Sequence, residues 1–150
     1  MTIRVHGLKR TGQKRPTSTW DFEEWQHIWL VASVVCRDLL SLDQINRGFD
    51  NIGVKISQDQ AIRIAERLNR ITNCKSTAIV QLELGPDPGE STTHTCPLCR
   101  GVRLIRWRTG GGKCILCGGG GILPGPNIQF VDLLKGFVKF CYESEGFDIR

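Results

Sequence analysis

The sequence predicts a mainly α (α+β) fold: a small helical bundle with a short strand, interrupted by an inserted cysteine-rich β-hairpin. Three observations point there. Apolar residues recur at three- and four-residue steps over Trp25–Leu40 and again over Phe130–Cys141, the spacing of amphipathic helices. Four of the seven cysteines fall between Cys96 and Cys117, as two C-x₂-C pairs. Between the helical stretches lies Gly85–Thr95, GPDPGESTTHT, whose composition is that of a linker. A length of 150 residues suits one domain, or one domain with a small appendage.

Residues 1–19 mix basic and turn residues and read as a basic flexible arm, with a short strand at Ile3–Val5. Residues 20–84 form the helical body. Asp21 opens its first helix as an N-cap, with Glu24 completing an acidic capping box and Trp20 and Trp25 at the staple positions. Trp25, Ile28, Ala32, Val35 and Leu39 make the inward stripe, widened by Trp29, Cys36 and Leu40. Leu42–Phe49 reads as a shorter helix stopped by Asp50, Asn51 and Gly53. Ser57 with Gln60 begins another, facing Ile62, Ala65, Leu68 and Ile71 to the core. Over Leu42–Leu68 these two also suit a helix-turn-helix, with Gly53 in the turn and Gln58, Gln60 and Arg63 on the reading helix; the plainer alternative is two amphipathic core helices. Ala78–Leu84 alternates as a strand. After the 85–95 linker and a cysteine module at 96–123, residues 124–150 carry a last helix that packs back on the body. Asn127 caps it, Phe130, Leu133, Leu134, Phe137, Val138 and Cys141 face inward, and Gly146 ends it.

Composition narrows the class. The most apolar run, Ile28–Cys36, is nine residues, far short of the roughly 20 that span a bilayer. The N-terminus has early charges and no apolar stretch of signal-peptide length. An odd cysteine count with four at metal-ligand spacing favours a reducing compartment over a disulfide scaffold, and a cytoplasmic location is expected. Cys36, Cys74 and Cys141 read as buried small apolar residues.

The net charge of +5 is unevenly spread. Arg4, Lys9, Arg10, Lys14 and Arg15 lie in the arm without an acid, and Arg100, Arg103, Arg106, Arg108 and Lys113 lie in residues 96–121, again without one. The remainder is acidic overall. Such segregation suits a polyanionic partner, although short charge runs are usually plain solvated surface.

Two thiolates separated by two residues reach one metal from a single tight turn, and a second pair completes a tetrahedral set. Cys96 and Cys99, with Cys114 and Cys117, therefore point to one structural zinc. Four protein ligands close the coordination sphere and leave no place for an activated water. A module this small has little core of its own, so metal binding worth on the order of 10 kcal/mol would supply its folding energy.

CPLCRG and CILCGGGG resemble the C-x-x-C-x-G-x-G repeats in the cysteine-rich domain of DnaJ-type co-chaperones, and are similar to the pair of such knuckles in certain phage transcription antiterminators. Cys114, Cys117, Gly119 and Gly121 match one repeat in full. Cys96, Cys99 and Gly101 match the other, with Arg103 where its last glycine would stand. The resemblance covers 26 residues and implies zinc held by those four cysteines. The module has two repeats where the co-chaperones have four, and the chain has no His-Pro-Asp of a J-domain. The final FVKFCYESEGFDIR is similar to segments of uncharacterised bacterial and prophage proteins and implies no function.

Between the pairs, Val102–Arg108 reads as a strand turned by Gly110–Gly112 into the second knuckle. Arginines beside Trp107 suit phosphates and a stacked base. The plainer reading packs Leu104 or Ile105 on the body, covers the hairpin with Trp107, and leaves the arginines to keep it soluble. Thr109–Lys113, TGGGK, fails as a phosphate loop because Cys114 stands where Ser or Thr is required. No nucleophile–base–orienter set assembles from the scattered histidines, and no small-molecule substrate is evident.

The expectation is therefore a non-enzymatic, zinc-stabilised binding protein acting as a nucleic-acid-associated regulator. Its contacts would be Arg100, Arg103, Arg106, Trp107, Arg108 and Lys113 of the module, with Lys9, Arg10, Lys14 and Arg15 of the arm. The alternative is a protein-binding adaptor or inhibitor, of phage derivation, whose zinc module docks on a partner protein.

Overall fold

Ile3 and Val5 are fully buried while Arg4 is exposed, and that alternation makes Thr2–Gly7 (β1) a strand. The structure, a computed structural model, describes residues 2–8, 14–72, 94–107, 110–123 and 128–149. Among these, β1 is followed by Thr17–Asp21 (β2), Phe22–Val35 (α1), Leu42–Asp50 (α2), Val54–Ile56 (β3) and Gln58–Thr72 (α3). Then come His94–Thr95 (β4), Leu104–Trp107 (β5), Gly110–Lys113 (β6), Ile122–Leu123 (β7), Ile128–Glu143 (α4) and Phe147–Ile149 (β8). The fold is α+β. The chain divides into two compact units, Met1–Leu68 with Leu133–Arg150, and Asn69–Asp132.

The first unit is built on a four-stranded antiparallel sheet in the order β2-β1-β8-β3. This corrects two expectations. The body is more than a helical bundle with a short strand, and residues 1–19 are not a flexible arm throughout. Thr2–Gly7 pairs with Thr17–Asp21 on one side and Phe147–Ile149 on the other. Pairing satisfies the backbone groups that a free arm would leave to water, and Ile3, Val5 and Trp20 anchor it in the core.

The helix caps follow the sequence. Asp21 Oδ1 accepts from the Glu24 amide at 2.8 Å while Glu24 Oε2 accepts from the Asp21 amide at 3.0 Å. Ser57 and Gln60 repeat the arrangement. Ser41 and Gln44 form a third capping box. On α3 the buried set is Ala61, Ile64, Ala65 and Leu68, with Ile62 and Ile71 half-buried. The helix is thus rotated from the expected face. Because β3 pairs with β8, a strand rather than a tight turn separates α2 from α3, and no helix-turn-helix forms.

An aromatic cluster joins the helices of this unit. Trp25 stacks on Trp29 with centroids 5.5 Å apart, and Phe137 meets Trp20, Trp25 and Phe147 edge-on at 5.7–5.8 Å. The two stacked indoles donate outward, Trp25 Nε1 to the Gly48 carbonyl at 2.9 Å and Trp29 Nε1 to that of Ile45 at 3.0 Å. The rings therefore lose no hydrogen bond on burial. Gly48 must be glycine here: a Cβ would lie 2.3 Å from the Trp29 ring. Cys36 and Cys141 are buried as expected. Burial, and then the neighbouring Cys36, push the Cys141 thiol well up. Gly146, at φ +95°, turns α4 into β8 against the Ile56 carbonyl. The expected strand Ala78–Leu84, most of the 85–95 linker, Cys74 and the Asn127 cap lie outside the described residues.

Candidate metal centre and basic surface

The second unit holds two knuckles of one design. In the first, Cys96 accepts from the amides of Cys99 and Leu98; in the second, Cys114 accepts from those of Cys117 and Leu116. The turns that follow match residue for residue. Arg100 and Gly118 have φ of 51° and 63°, Gly101 and Gly119 of 81° and 87°, Arg103 and Gly121 of 72° and 79°. Val102 donates to the Cys99 carbonyl at 3.0 Å, as Gly120 does to that of Cys117 at 3.2 Å. The knuckles then clasp each other: the Cys96 amide donates to the Gly121 carbonyl at 2.9 Å and the Cys114 amide to that of Arg103 at 2.8 Å. Two antiparallel ladders tie the knuckles to each other: β4, before the first, pairs with β7, after the second, and β5, after the first, pairs with β6, before the second.

This clasp brings four buried sulfurs together. All lie within 4.8 Å of one another, with Cys96 to Cys114 and Cys99 to Cys117 each 3.7 Å. These are free thiols, far beyond the roughly 2.05 Å of a disulfide. The four cysteines could hold a metal ion, and a four-sulfur set has no open position for a reacting water.

Electrostatics agree with that role. Burial raises the Cys96 thiol strongly and pushes Cys114 up to about 11. Cys117 is also penalised by burial, yet amides of Gly121 and Gly119 with contacts from Cys114 and Cys99 outweigh it, and its pKa falls. The Gly121 amide reaches Cys117 Sγ at 3.2 Å. A cation among such sulfurs reverses the burial penalty by stabilising the thiolates directly.

Arg100, Arg103, Arg106 and Lys113 are exposed around this cluster. Two are seated by the second knuckle's glycines. A Cβ on Gly121 would lie 3.2 Å from Arg103 Cγ, and one on Gly119 would lie 3.3–3.4 Å from Lys113 Cβ, Cγ and Cδ. The glycine run thus admits both left-handed turns and the stems of two cations. Lys14 and Arg15 are exposed in the other unit, between β1 and β2. Lys9, Arg10 and Arg108 lie outside the described residues, as does the side chain of Trp107, whose backbone belongs to β5. What the sequence reading missed is the conformation of Arg100 and Arg103. The signal was the alignment of CPLCRGVR with CILCGGGG, which sets both arginines opposite glycines.

No protein-family model, curated protein or solved structure matches this chain. Among the described residues, no helix is long and apolar enough to cross a membrane.

Proposed function

We propose that this is a non-enzymatic, zinc-stabilised binding protein that contacts nucleic acid through the basic surface of its cysteine module. A tetrahedral zinc with bonds of about 2.3 Å sets its thiolate sulfurs about 3.8 Å apart, and the 3.7 Å separations support that metal. Cys96, Cys99, Cys114 and Cys117 are its ligands. Zinc supplies structure here, by fixing the two turns from which the cations project.

One observation carries the nucleic-acid reading. Arg100 and Arg103 hold left-handed backbone at positions where the twin knuckle has Gly118 and Gly121. A non-glycine residue in that region costs on the order of 1 kcal/mol, and such strain collects at functional sites. The cost falls on two arginines of a segment without an acid. Four thiolates around one zinc ion carry a net −2, so neutralising the metal centre accounts for only part of the segment's five cations. The surplus suits phosphates.

The adaptor or inhibitor reading draws on Val102 and Leu104, which are 68% and 61% exposed in the same module. The two separate by titrating the full chain with a labelled oligonucleotide at low salt. The nucleic-acid reading expects binding that weakens in Arg100→Gly/Arg103→Gly with metal content unchanged. Binding unaffected by that variant contradicts it, and no binding at all favours the adaptor.

A further inference from the structure

The β5–β6 ribbon has side chains on one strand and almost none on the other. Leu104 pairs with Lys113, Ile105 with Gly112, Arg106 with Gly111 and Trp107 with Gly110. All four residues of β6 are exposed. Partners across a ribbon share a face, so Leu104, Lys113, Arg106 and Gly111 form the corners of one. A Cβ on Gly111 would lie 3.0 Å from the Ile105 carbonyl and 3.4 Å from Arg106 Cγ. Glycine there lets the Arg106 stem lie low beside the backbone. The result is a shelf with a bare peptide floor, an apolar wall at Leu104, and cations at Lys113 and Arg106.

Resting on the nucleic-acid reading above, we infer that the ligand of this shelf is single-stranded nucleic acid, seated with a base between Leu104 and Arg106 and phosphates on Arg103 and Lys113. Leu104 is 61% exposed, and a duplex offers it only groove edges such as thymine methyls, because the base faces are stacked inside. A single strand offers those faces, and guanidinium planes and apolar side chains take them up without regard to sequence. Charge weighs against a protein: lysine is depleted at protein interfaces, whereas Leu104 faces Lys113 across the ribbon.

The test is fluorescence anisotropy of the full, metal-loaded chain with oligo-dT, oligo-rU and a mixed-sequence DNA duplex of equal length, across a salt series. The expected result is single-strand binding about tenfold tighter than duplex. Leu104→Ser, an exposed position, should weaken single-strand binding about fivefold with metal content and salt slope unchanged. Leu42→Ser, at a more exposed leucine on α2, should change nothing. The two single-strand arms report whether DNA or RNA is preferred, and either satisfies the inference. Duplex binding as tight as single-strand binding, or a silent Leu104→Ser, overturns the inference while the nucleic-acid reading stands. Absence of binding to all three probes at low salt overturns both.

Discussion

Arg103 and Gly121 occupy equivalent positions in the two knuckles, at φ of 72° and 79°, and the Arg103 stem rests on Gly121 itself. The glycine is required twice over, for its own backbone and for its neighbour's side chain. The arginine is required by neither, and replacing it tests what it is for. Arg103→Gly should raise the module's stability by about 1 kcal/mol, because the left-handed backbone then carries no Cβ penalty. The same change should weaken nucleic-acid binding. Thermal melting in the presence of limiting chelator, alongside binding, measures both, and a variant that is neither more stable nor a weaker binder contradicts the account.

The Trp29 ring occupies the space where a Gly48 side chain would stand. Gly48 is within α2, where alanine would ordinarily gain about 1 kcal/mol of helix propensity. Overpacking against a buried, hydrogen-bonded indole costs more, about 1–3 kcal/mol beyond that gain. Gly48→Ala should therefore lower the urea midpoint of unfolding, and an unchanged or raised midpoint would show that α1 and α2 separate without penalty.

Removing half of the sulfur set leaves two ligands for the ion. Purified without chelator, the native chain should contain one zinc per molecule, and Cys114→Ser/Cys117→Ser should contain far less. The core around Trp25 and Phe137 lies in the other compact unit, so its cooperative unfolding should survive. Full zinc retention by the double variant, measured by atomic emission, would sink the assignment of ligands.

Arg67 hydrogen-bonds both carboxylate oxygens of Asp38, and that contact holds the Asp38 pKa down at about 2. A carboxylate with a depressed folded-state pKa contributes stability above its unfolded value, near 3.9, and loses it as pH falls toward the folded value. The stability difference between the native chain and Asp38→Asn should therefore be constant above about pH 5 and shrink between about pH 4 and pH 2. Urea midpoints at neutral and acid pH measure it; a difference that grows on acidification would refute the pair's role. The Asp38 side chain is largely exposed and that of Arg67 is partly covered, so the effect should also fall with added salt.

How far the sequence was legible depended on element length and on local chemistry. The Asp21–Glu24 and Ser57–Gln60 boxes and the Trp20–Trp25 staple are contacts between residues a few positions apart, and the sequence states them directly. So are the two cysteine pairs. The sheet was not legible, because Val54–Ile56 and Phe147–Ile149 are too short for alternation to register. Thr17–Ser18–Thr19 looks like a turn until β1 pairs with it. Gly110–Gly112 opposes strand propensity and forms a strand only because Leu104–Trp107 lies beside it. The rotation of α3 and the missed box at Ser41–Gln44 have different causes. The first depends on tertiary packing, whereas the Ser-x-x-Gln spacing of the second was present to be read.

The salt dependence of nucleic-acid binding tests the central claim most directly. If the cations left over by the metal centre meet about three phosphates, log K should fall against log salt with a slope near about −2 on a single strand, and Arg100→Ala/Arg103→Ala/Lys113→Ala should flatten it by up to about two units. A slope near zero, a slope that the triple variant leaves unchanged, or no measurable binding at low salt would contradict the account.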